Sequence, residues 1–102
     1  MGNFICQRPI HPGELIKEEL DYRNVRQNKL AEQMGISYKV LNDILNCRRP
    51  LTTSTAMLFE AALGVNTRLL MRMQLDYNMQ TTLQDKSFLK RLSEVRKIAA
   101  LL

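Results

Sequence analysis

The sequence predicts an all-α protein, with five helices that build a helix-turn-helix domain and a further amphipathic helix at the C-terminus. Apolar residues recur along the chain at helical spacings of three and four, and no segment alternates convincingly with a period of two. Residues that favour helix starts and ends lie between these apolar segments. At 102 residues the chain is long enough for one domain with a single core.

The central feature is residues 27–45, where two short helices are joined by a tight turn. The first of them has Leu30 and Met34 on one face, and Gly35 can adopt the positive φ that ends a helix. Ser37 is a favourable N-cap for the second helix. That helix also has a single apolar face, which comprises Val40, Leu41, Ile44 and Leu45. Such a pair forms a helix-turn-helix, whose second helix can enter the major groove of DNA.

A helix that begins at residues 11–14, His-Pro-Gly-Glu, precedes this unit. Pro12 suits the first helical position, and Glu14 lies in the first turn, where the helix dipole favours an acid. The apolar face of this helix is expected to be buried. Residues 22–24 should end it.

Two more helices follow the central unit. Thr52 is a favourable N-cap for the fourth helix and Gly64 should end it. Asn66 should cap a fifth helix over residues 67–80, which is followed by a polar break. The last segment repeats apolar residues at spacings of four and three, as in a short coiled coil, at Phe88, Leu92, Val95, Ala99 and Leu102.

Three regions are therefore expected. Residues 1–10 show no clear apolar period and should form an N-terminal arm. Residues 11–80 should form the helix-turn-helix DNA-binding domain. Residues 81–102 should supply a C-terminal helix for contact with a second copy or another partner.

Composition narrows the partners and the cellular compartment. A net charge of +5 favours an anionic partner, with nucleic acid ahead of membrane. Cys6 and Cys47 are far apart and lack the spacing of metal ligands, so reduced thiols in a cytosolic protein are expected. The sequence has no apolar run of membrane-spanning length and no signal segment. We therefore expect a cytoplasmic protein that does not bind membranes.

Catalysis finds little support in the sequence. His11 is the only histidine, and its position beside Pro12 at a helix start indicates a structural or solvent-exposed role. The His, Cys and Asp residues show no metal-binding spacing, and the chain has no Gly-rich phosphate-binding loop. A non-enzyme without metal or cofactor is expected.

The exposed side of the predicted recognition helix carries side chains suited to reading bases in the major groove. Lys39 can donate to guanine, Asn42 can pair with adenine, and Tyr38 can contact a thymine methyl group. Asp43 can accept from cytosine or instead hold a neighbouring basic side chain in place. The alternative is that all of these are simply polar surface residues.

Phosphate contacts are expected on either side of these residues. Gln27 begins the first helix of the unit, where its amide and free backbone N–H groups can meet a phosphate oxygen. Arg48, Arg49 and Thr52 follow the recognition helix, and Asn46 is a further candidate. The alternative is that the arginine pair is only solvated.

On these motifs the chain resembles the HigA/VapI type of antitoxin, within the Xre/Cro-like helix-turn-helix group with its lambda-repressor-like fold. The resemblance covers residues 11–77. It is carried by His11-Pro12-Gly13-Glu14 with Leu15, Gln27-Asn28-Lys29-Leu30-Ala31-Glu32, Met34-Gly35-Ile36-Ser37, residues 41–46, Arg49, Thr52, Ala62-Leu63-Gly64 and Gln74 with Tyr77.

The resemblance implies a small dimeric protein that binds operator DNA, represses its own operon and neutralises a RelE-like mRNA-cleaving toxin. By the same resemblance Gln27 would contact phosphate, and Arg48, Arg49 and Thr52 would hold the DNA backbone. The residues facing the bases would be Ser37, Tyr38, Lys39, Asn42 and Asp43. The fifth and last helices are candidates for dimer or partner contact, through Leu70, Tyr77, Phe88, Leu92 and Val95.

Three positions depart from the family pattern. Cys47 replaces the glycine usual after the recognition helix, so Asn46 is expected to supply any positive φ that the turn needs. Thr67 replaces a frequent proline. Leu70 replaces a common tryptophan, so the hydrophobic surface of the fifth helix should differ.

Two other functions remain open at this point. The chain could be a phage- or plasmid-type transcriptional regulator that has no toxin partner. It could also be a protein-interaction module whose basic charge is incidental and whose C-terminal helix carries the binding.

Overall fold

Six α-helices joined by short loops make up the computed structural model, which describes residues 8–102. In chain order they are α1 (Pro12–Arg23), α2 (Gln27–Met34), α3 (Tyr38–Leu45), α4 (Thr53–Leu63), α5 (Thr67–Leu83) and α6 (Lys86–Ala99). The predicted all-α class is confirmed for these residues. None of the six helices combines the length and the apolar character needed to cross a bilayer. Residues 1–7 of the expected N-terminal arm lie outside the described residues.

With the exception of the end of α5, the helix ends lie where the sequence predicts them, because local capping groups determine them. The side chains of Ser37, Thr52 and Asn66 accept hydrogen bonds from the backbone N–H groups of Val40, Thr55 and Leu69, three residues further on. Gly35 and Gly64 end α2 and α4 in the left-handed conformation. These caps fix the length of α3 and therefore the set of side chains that it exposes.

One boundary differs from the prediction. α5 continues to Leu83 instead of ending at residue 80, so it passes through the expected division between residues 80 and 81. The polar side chains here are compatible with an exposed helical turn, and the Thr81 hydroxyl donates to the Tyr77 carbonyl at 3.0 Å. Asp85 then caps α6 through the backbone N–H groups of Ser87 and Phe88. α5 therefore leads almost directly into α6.

The core lies between the apolar faces of α1 to α5. Phe59 of α4 is fully buried. The remaining buried apolar side chains are Ile16, Leu20, Leu30, Ala31, Met34, Leu41, Ile44, Leu45, Leu51, Ala56, Leu63 and Leu70. The prediction that Leu70 contacts a dimer or toxin partner is wrong, because its side chain is fully buried in the core of its own chain.

α6 projects from this core. It contributes no buried residue, and Val95 on its apolar face is 58% exposed. Phe88 and Leu92 are partly covered. The described chain extends over 55 × 35 × 22 Å and has a radius of gyration of 17.2 Å. A compact chain of this length would have a radius of gyration of about 13 Å, so the α5–α6 end elongates the molecule.

The turn that ends α3 does not follow the expectation for Asn46. Asn46 has φ −101°, and the positive φ of 63° belongs to Cys47. The N–H of Cys47 donates to the Ile44 carbonyl at 3.1 Å, and the N–H of Arg48 donates to the Asp43 carbonyl at 2.8 Å. Because these bonds close the helix only if the residue after the cap is left-handed, the strain lies on Cys47.

Replacing Cys47 with glycine should stabilise the protein. A non-glycine residue in the left-handed region costs about 1–2 kcal/mol, part of which glycine loses again through its greater freedom in the unfolded chain. We expect the free energy of unfolding of Cys47→Gly to exceed that of Cys47→Ala by about 1 kcal/mol. Cys47→Gly should therefore unfold at a higher urea concentration. Cys47→Ala keeps the strain while removing the thiol, so equal stability of the two variants would contradict this account of the turn.

Candidate nucleic-acid interface

His11 joins the start of α1 to the loop that follows α3, residues 46–52. Its ring is buried, and its Nδ1 accepts a hydrogen bond from the Gly13 N–H at 2.9 Å. Its Nε2 lies 3.1 Å from the carbonyl oxygen of Arg49, so this nitrogen carries the proton and donates. Burial lowers the pKa of His11, which favours the neutral ring that both bonds require. Of the two roles expected for His11, the structural one is confirmed.

Gly13 allows α1 and α3 to approach closely. A Cβ atom at this position would lie 2.0 Å from the carbonyl oxygen of Ile44, which no side chain can tolerate. Glu14 completes the start of α1 by accepting from the His11 N–H at 3.3 Å. Arg8 donates to both Glu14 oxygens, at 2.9 and 3.0 Å, and lowers the pKa of that carboxyl. The His-Pro-Gly-Glu segment therefore fixes the C-terminal end of α3.

α5 holds the 46–52 loop from the other side. The buried Gln74 accepts from the Leu51 N–H at 2.7 Å and donates to Asn78 at 2.8 Å. The ring of Tyr77 meets the His11 ring edge-on, with 4.9 Å between ring centroids. The part that Gln74 and His11 play in positioning this loop is not predicted by the sequence. The available signal was that Gln74 lies one turn beyond Leu70, so a polar side chain lies on the buried face of α5.

The exposed side of α3 is connected to α2 and to the 46–52 loop by a polar network. Asn42 donates to the side-chain oxygen of Gln27 at 3.0 Å and accepts from the Arg48 guanidinium at 2.9 Å. Gln27 and Arg48 are predicted to contact phosphate, and Asn42 is predicted to read a base. The structure brings all three together in one continuous chain of hydrogen bonds.

Asp43 extends this network and collects positive charge. Its carboxylate lies 3.1 Å from the Lys39 ammonium, 3.2 Å from Arg48 and 4.0 Å from Arg49. Its side chain is only 13% exposed. The hydrogen bond from Lys39, supported by that from Arg48, lowers the pKa of Asp43. Of the two roles considered for Asp43, this geometry favours holding neighbouring basic side chains.

The other candidate residues divide into free and engaged side chains. Tyr38 is 53% exposed, and the side chain of Lys39 is exposed apart from its contact with Asp43. The hydroxyls of Ser37 and Thr52 serve as helix caps. Asn46 donates to the Asn42 carbonyl at 2.8 Å and accepts at 3.3 Å from Lys17, a basic residue absent from the predicted set. The side chains of α3 that keep polar groups available for a further partner are thus Tyr38, Lys39 and, with its remaining groups, Asn42.

Comparison with known proteins identifies several antitoxins as similar. Virulence-associated protein I from Dichelobacter nodosus is 31% identical over 78 residues, which are 76% of this chain and 72% of that protein. An addiction module antidote protein of the HigA family from Coxiella burnetii is 30% identical with a TM-score of 0.73, over 88% of this chain and 94% of its own. The antitoxin HigA from Pseudomonas aeruginosa, solved with the higBA promoter, is 28% identical with a TM-score of 0.69, over 74% and 83% of the two chains. No protein-family model matches the sequence.

The buried His11 predicts that stability falls on mild acidification. Since the pKa of His11 is lowered on folding, the unfolded chain binds more protons below pH 6.5, and the folded state is progressively destabilised until the folded pKa is passed. The slope should reach at most about 1.4 kcal/mol per pH unit, the limit for one proton. Urea unfolding between pH 8 and pH 5 measures it.

The matched variant for this measurement is His11→Asn, which keeps a polar cap at the start of α1 but does not titrate. It should be less stable than the natural protein at pH 8 and should change little between pH 7 and pH 5. The carboxyl of Glu14, whose pKa is also lowered, loses its contribution only below about pH 4.5, so the two effects are separable. Parallel pH profiles for the two proteins would contradict the assignment to His11.

Proposed function

The chain belongs to the HigA/VapI family of antitoxins, and on that premise we propose that it binds operator DNA through α3, represses its own toxin–antitoxin operon and neutralises a RelE-like mRNA-cleaving toxin. The observation that carries the DNA-binding part is the hydrogen-bonded network from Gln27 through Asn42 to Arg48. It connects the candidate base-reading and phosphate-binding side chains. The Pseudomonas relative solved with its promoter supports DNA as the partner.

Asn42 is the side chain best prepared to read a base. After its bonds to Gln27 and Arg48, its amide retains one N–H and one oxygen lone pair. These are the two groups that bidentate pairing with adenine requires. Because Gln27 binds the nitrogen and Arg48 binds the oxygen, the network also fixes which way round the amide lies.

Phosphate contacts would surround this reader. Gln27 begins α2, whose N-cap side chain makes no capping hydrogen bond, and Arg48 and Arg49 lie in the loop beyond α3. Asn46 and Thr52 lie at the two ends of that loop. His11 and Gln74 hold the loop backbone at Arg49 and Leu51, so the backbone from which the arginine side chains extend is fixed.

A homodimer is the expected active form. One recognition helix covers only a few base pairs, and paired half-sites about one helical turn apart roughly double the contacts. We assign the dimer contact to the exposed apolar side of the C-terminal part of α5 and of α6. This surface comprises the proposed 81–102 region and the helical turn before it. Its residues are Tyr77, Met79, Leu83, Phe88, Leu92 and Val95, of which Tyr77, Phe88 and Leu92 are partly covered within the chain.

The charges on α6 favour antiparallel pairing of two copies. Arg91 and Arg96 are on opposite flanks of the apolar stripe that contains Val95. In a parallel pair Arg91 of one copy would lie opposite Arg96 of the other, which is repulsive. In an antiparallel pair the same flanks meet, so a register that sets Arg91 beside Ile98 and Arg96 beside Leu89 keeps the arginines of the two copies apart. Antiparallel pairing thus covers the stripe without opposing like charges.

The toxin partner is tested separately from DNA binding. Co-expression with the product of the neighbouring gene should yield a complex, and a mobility shift on the upstream promoter should be seen with the complex or the free protein. A shift without any complex would leave the stand-alone transcriptional regulator as the function. A complex without any shift would favour the protein-interaction module.

Removing a base-contacting side chain of α3 should weaken operator binding and reduce the preference for particular base pairs. Lys39→Ala and Asn42→Ala should each lose about 1–3 kcal/mol of discrimination, a roughly 5- to 150-fold change in affinity at one position of the site. Binding titrations on the native promoter and on single-base variants measure this. Lys90→Ala on α6 removes the same charge as Lys39→Ala and should leave base preference unchanged. Unaltered promoter binding by both reader variants would show that α3 is not the recognition helix.

Placing a charge on the stripe of α6 should weaken self-association. Val95 is exposed in the single chain, so Val95→Glu should fold normally while burying a charge in the dimer. We expect the dimer dissociation constant to rise roughly tenfold or more, measured by analytical ultracentrifugation. Ser93→Glu adds the same charge on the polar face of α6 and is the control. Equal dissociation constants for the two variants would exclude this face as the interface.

A further inference from the structure

Asp43 lies among the side chains that the proposed function assigns to DNA. Lys39, Arg48 and Arg49 all contact its carboxylate, with Oδ2 facing Lys39 and Arg49 and Oδ1 facing Arg48. Each of these cations would otherwise be free to attract a phosphate. We propose that Asp43 determines specificity as an internal counter-anion, which suppresses binding to DNA of arbitrary sequence and holds Lys39 and Arg48 in place for the operator. This inference rests on the proposed function.

The charge distribution makes this carboxylate influential. Residues 86–102 carry five basic side chains and one acidic side chain, so a net charge of +4 out of the chain's +5 lies in that segment. The rest of the chain is therefore nearly neutral, with a net charge of +1. Lys39, Arg48 and Arg49 lie next to Asp43 on the exposed side of α3, and this one anion cancels a third of their combined charge.

Affinity for arbitrary DNA comes mostly from ions released when cations meet phosphates. A cation already paired with a protein carboxylate neutralises less phosphate charge, so it releases fewer of the counterions condensed on the DNA. Operator binding depends in addition on the geometry of base contacts. A fixed carboxylate therefore weakens non-specific binding more than operator binding, and the ratio between them rises.

Direct base reading by Asp43 fits the geometry less well. Both of its oxygens already have cationic partners, and its side chain is only 13% exposed. Accepting from a cytosine amino group would require the carboxylate to leave Lys39 and Arg48, which are themselves candidate DNA contacts. Asp43 acts on the DNA through its neighbours and is a positioning residue.

The test compares Asp43→Asn with the natural full-length protein on the native promoter duplex and on a scrambled duplex of equal length, by fluorescence anisotropy over a range of salt. Asp43→Asn should steepen the dependence of log K on log salt by about 1 for each protomer bound. Affinity for the scrambled duplex should rise roughly five- to tenfold per protomer at 0.1 M salt. Operator affinity should change less, so the specificity ratio falls.

Two further variants separate this role from others. Asp76→Asn removes the same charge from an exposed position on α5 and should leave the salt slope as in the natural protein, whereas Asp43→Glu should restore most of the natural slope. Equal slopes and equal specificity ratios for Asp43→Asn and Asp76→Asn would overturn the proposal. A loss of discrimination confined to one base pair would overturn it in favour of direct reading. If the natural protein itself showed no preference for the promoter, the proposed function would be wrong and not this inference alone.

Discussion

The hydrogen bond from His11 to the Arg49 carbonyl is the contact on which the position of the 46–52 loop depends. It connects the start of α1 to the loop beyond α3, and the N–H of Gly13 holds the ring in the tautomer that can donate. Gln74 holds the same loop at Leu51 from α5. The backbone segment that carries Arg48 and Arg49 is therefore held from both sides, so their long side chains extend from an ordered loop.

The polar side chains on the exposed side of α3 are held in place by one another. Because the side chains of Lys39 and Arg48 are mostly exposed, their ion pairs with Asp43 add little to stability and serve mainly to orient the side chains. The amide of Asn42 is oriented by Gln27 and Arg48 in the same way. Side chains that are already held lose less conformational entropy when they bind, which favours a matching site over a non-matching one.

Local features of the sequence were sufficient to predict most of the fold. Ser37, Thr52 and Asn66 cap helices through bonds to residues only three positions away, so their roles could be inferred without knowing the tertiary structure. The roles of Leu70 and Gln74 depend on packing and hydrogen bonding with residues distant in sequence, so periodicity alone could not assign them. Residue preference predicts the positive φ at Asn46, which is one residue too early. The hydrogen bonds that close α3 require it at the following residue, Cys47.

The contacts that hold the end of α3 and the 46–52 loop include several to main-chain atoms. Gly13 lies against the carbonyl oxygen of Ile44, and His11 and Gln74 bind the carbonyl of Arg49 and the N–H of Leu51. Every residue type except proline offers both of these groups. These contacts therefore do not depend on which side chains the exposed side of α3 carries. Tyr38 and Lys39 can therefore diverge in evolution without refolding the domain. Related modules in one genome could acquire separate operators in this way and avoid regulating one another.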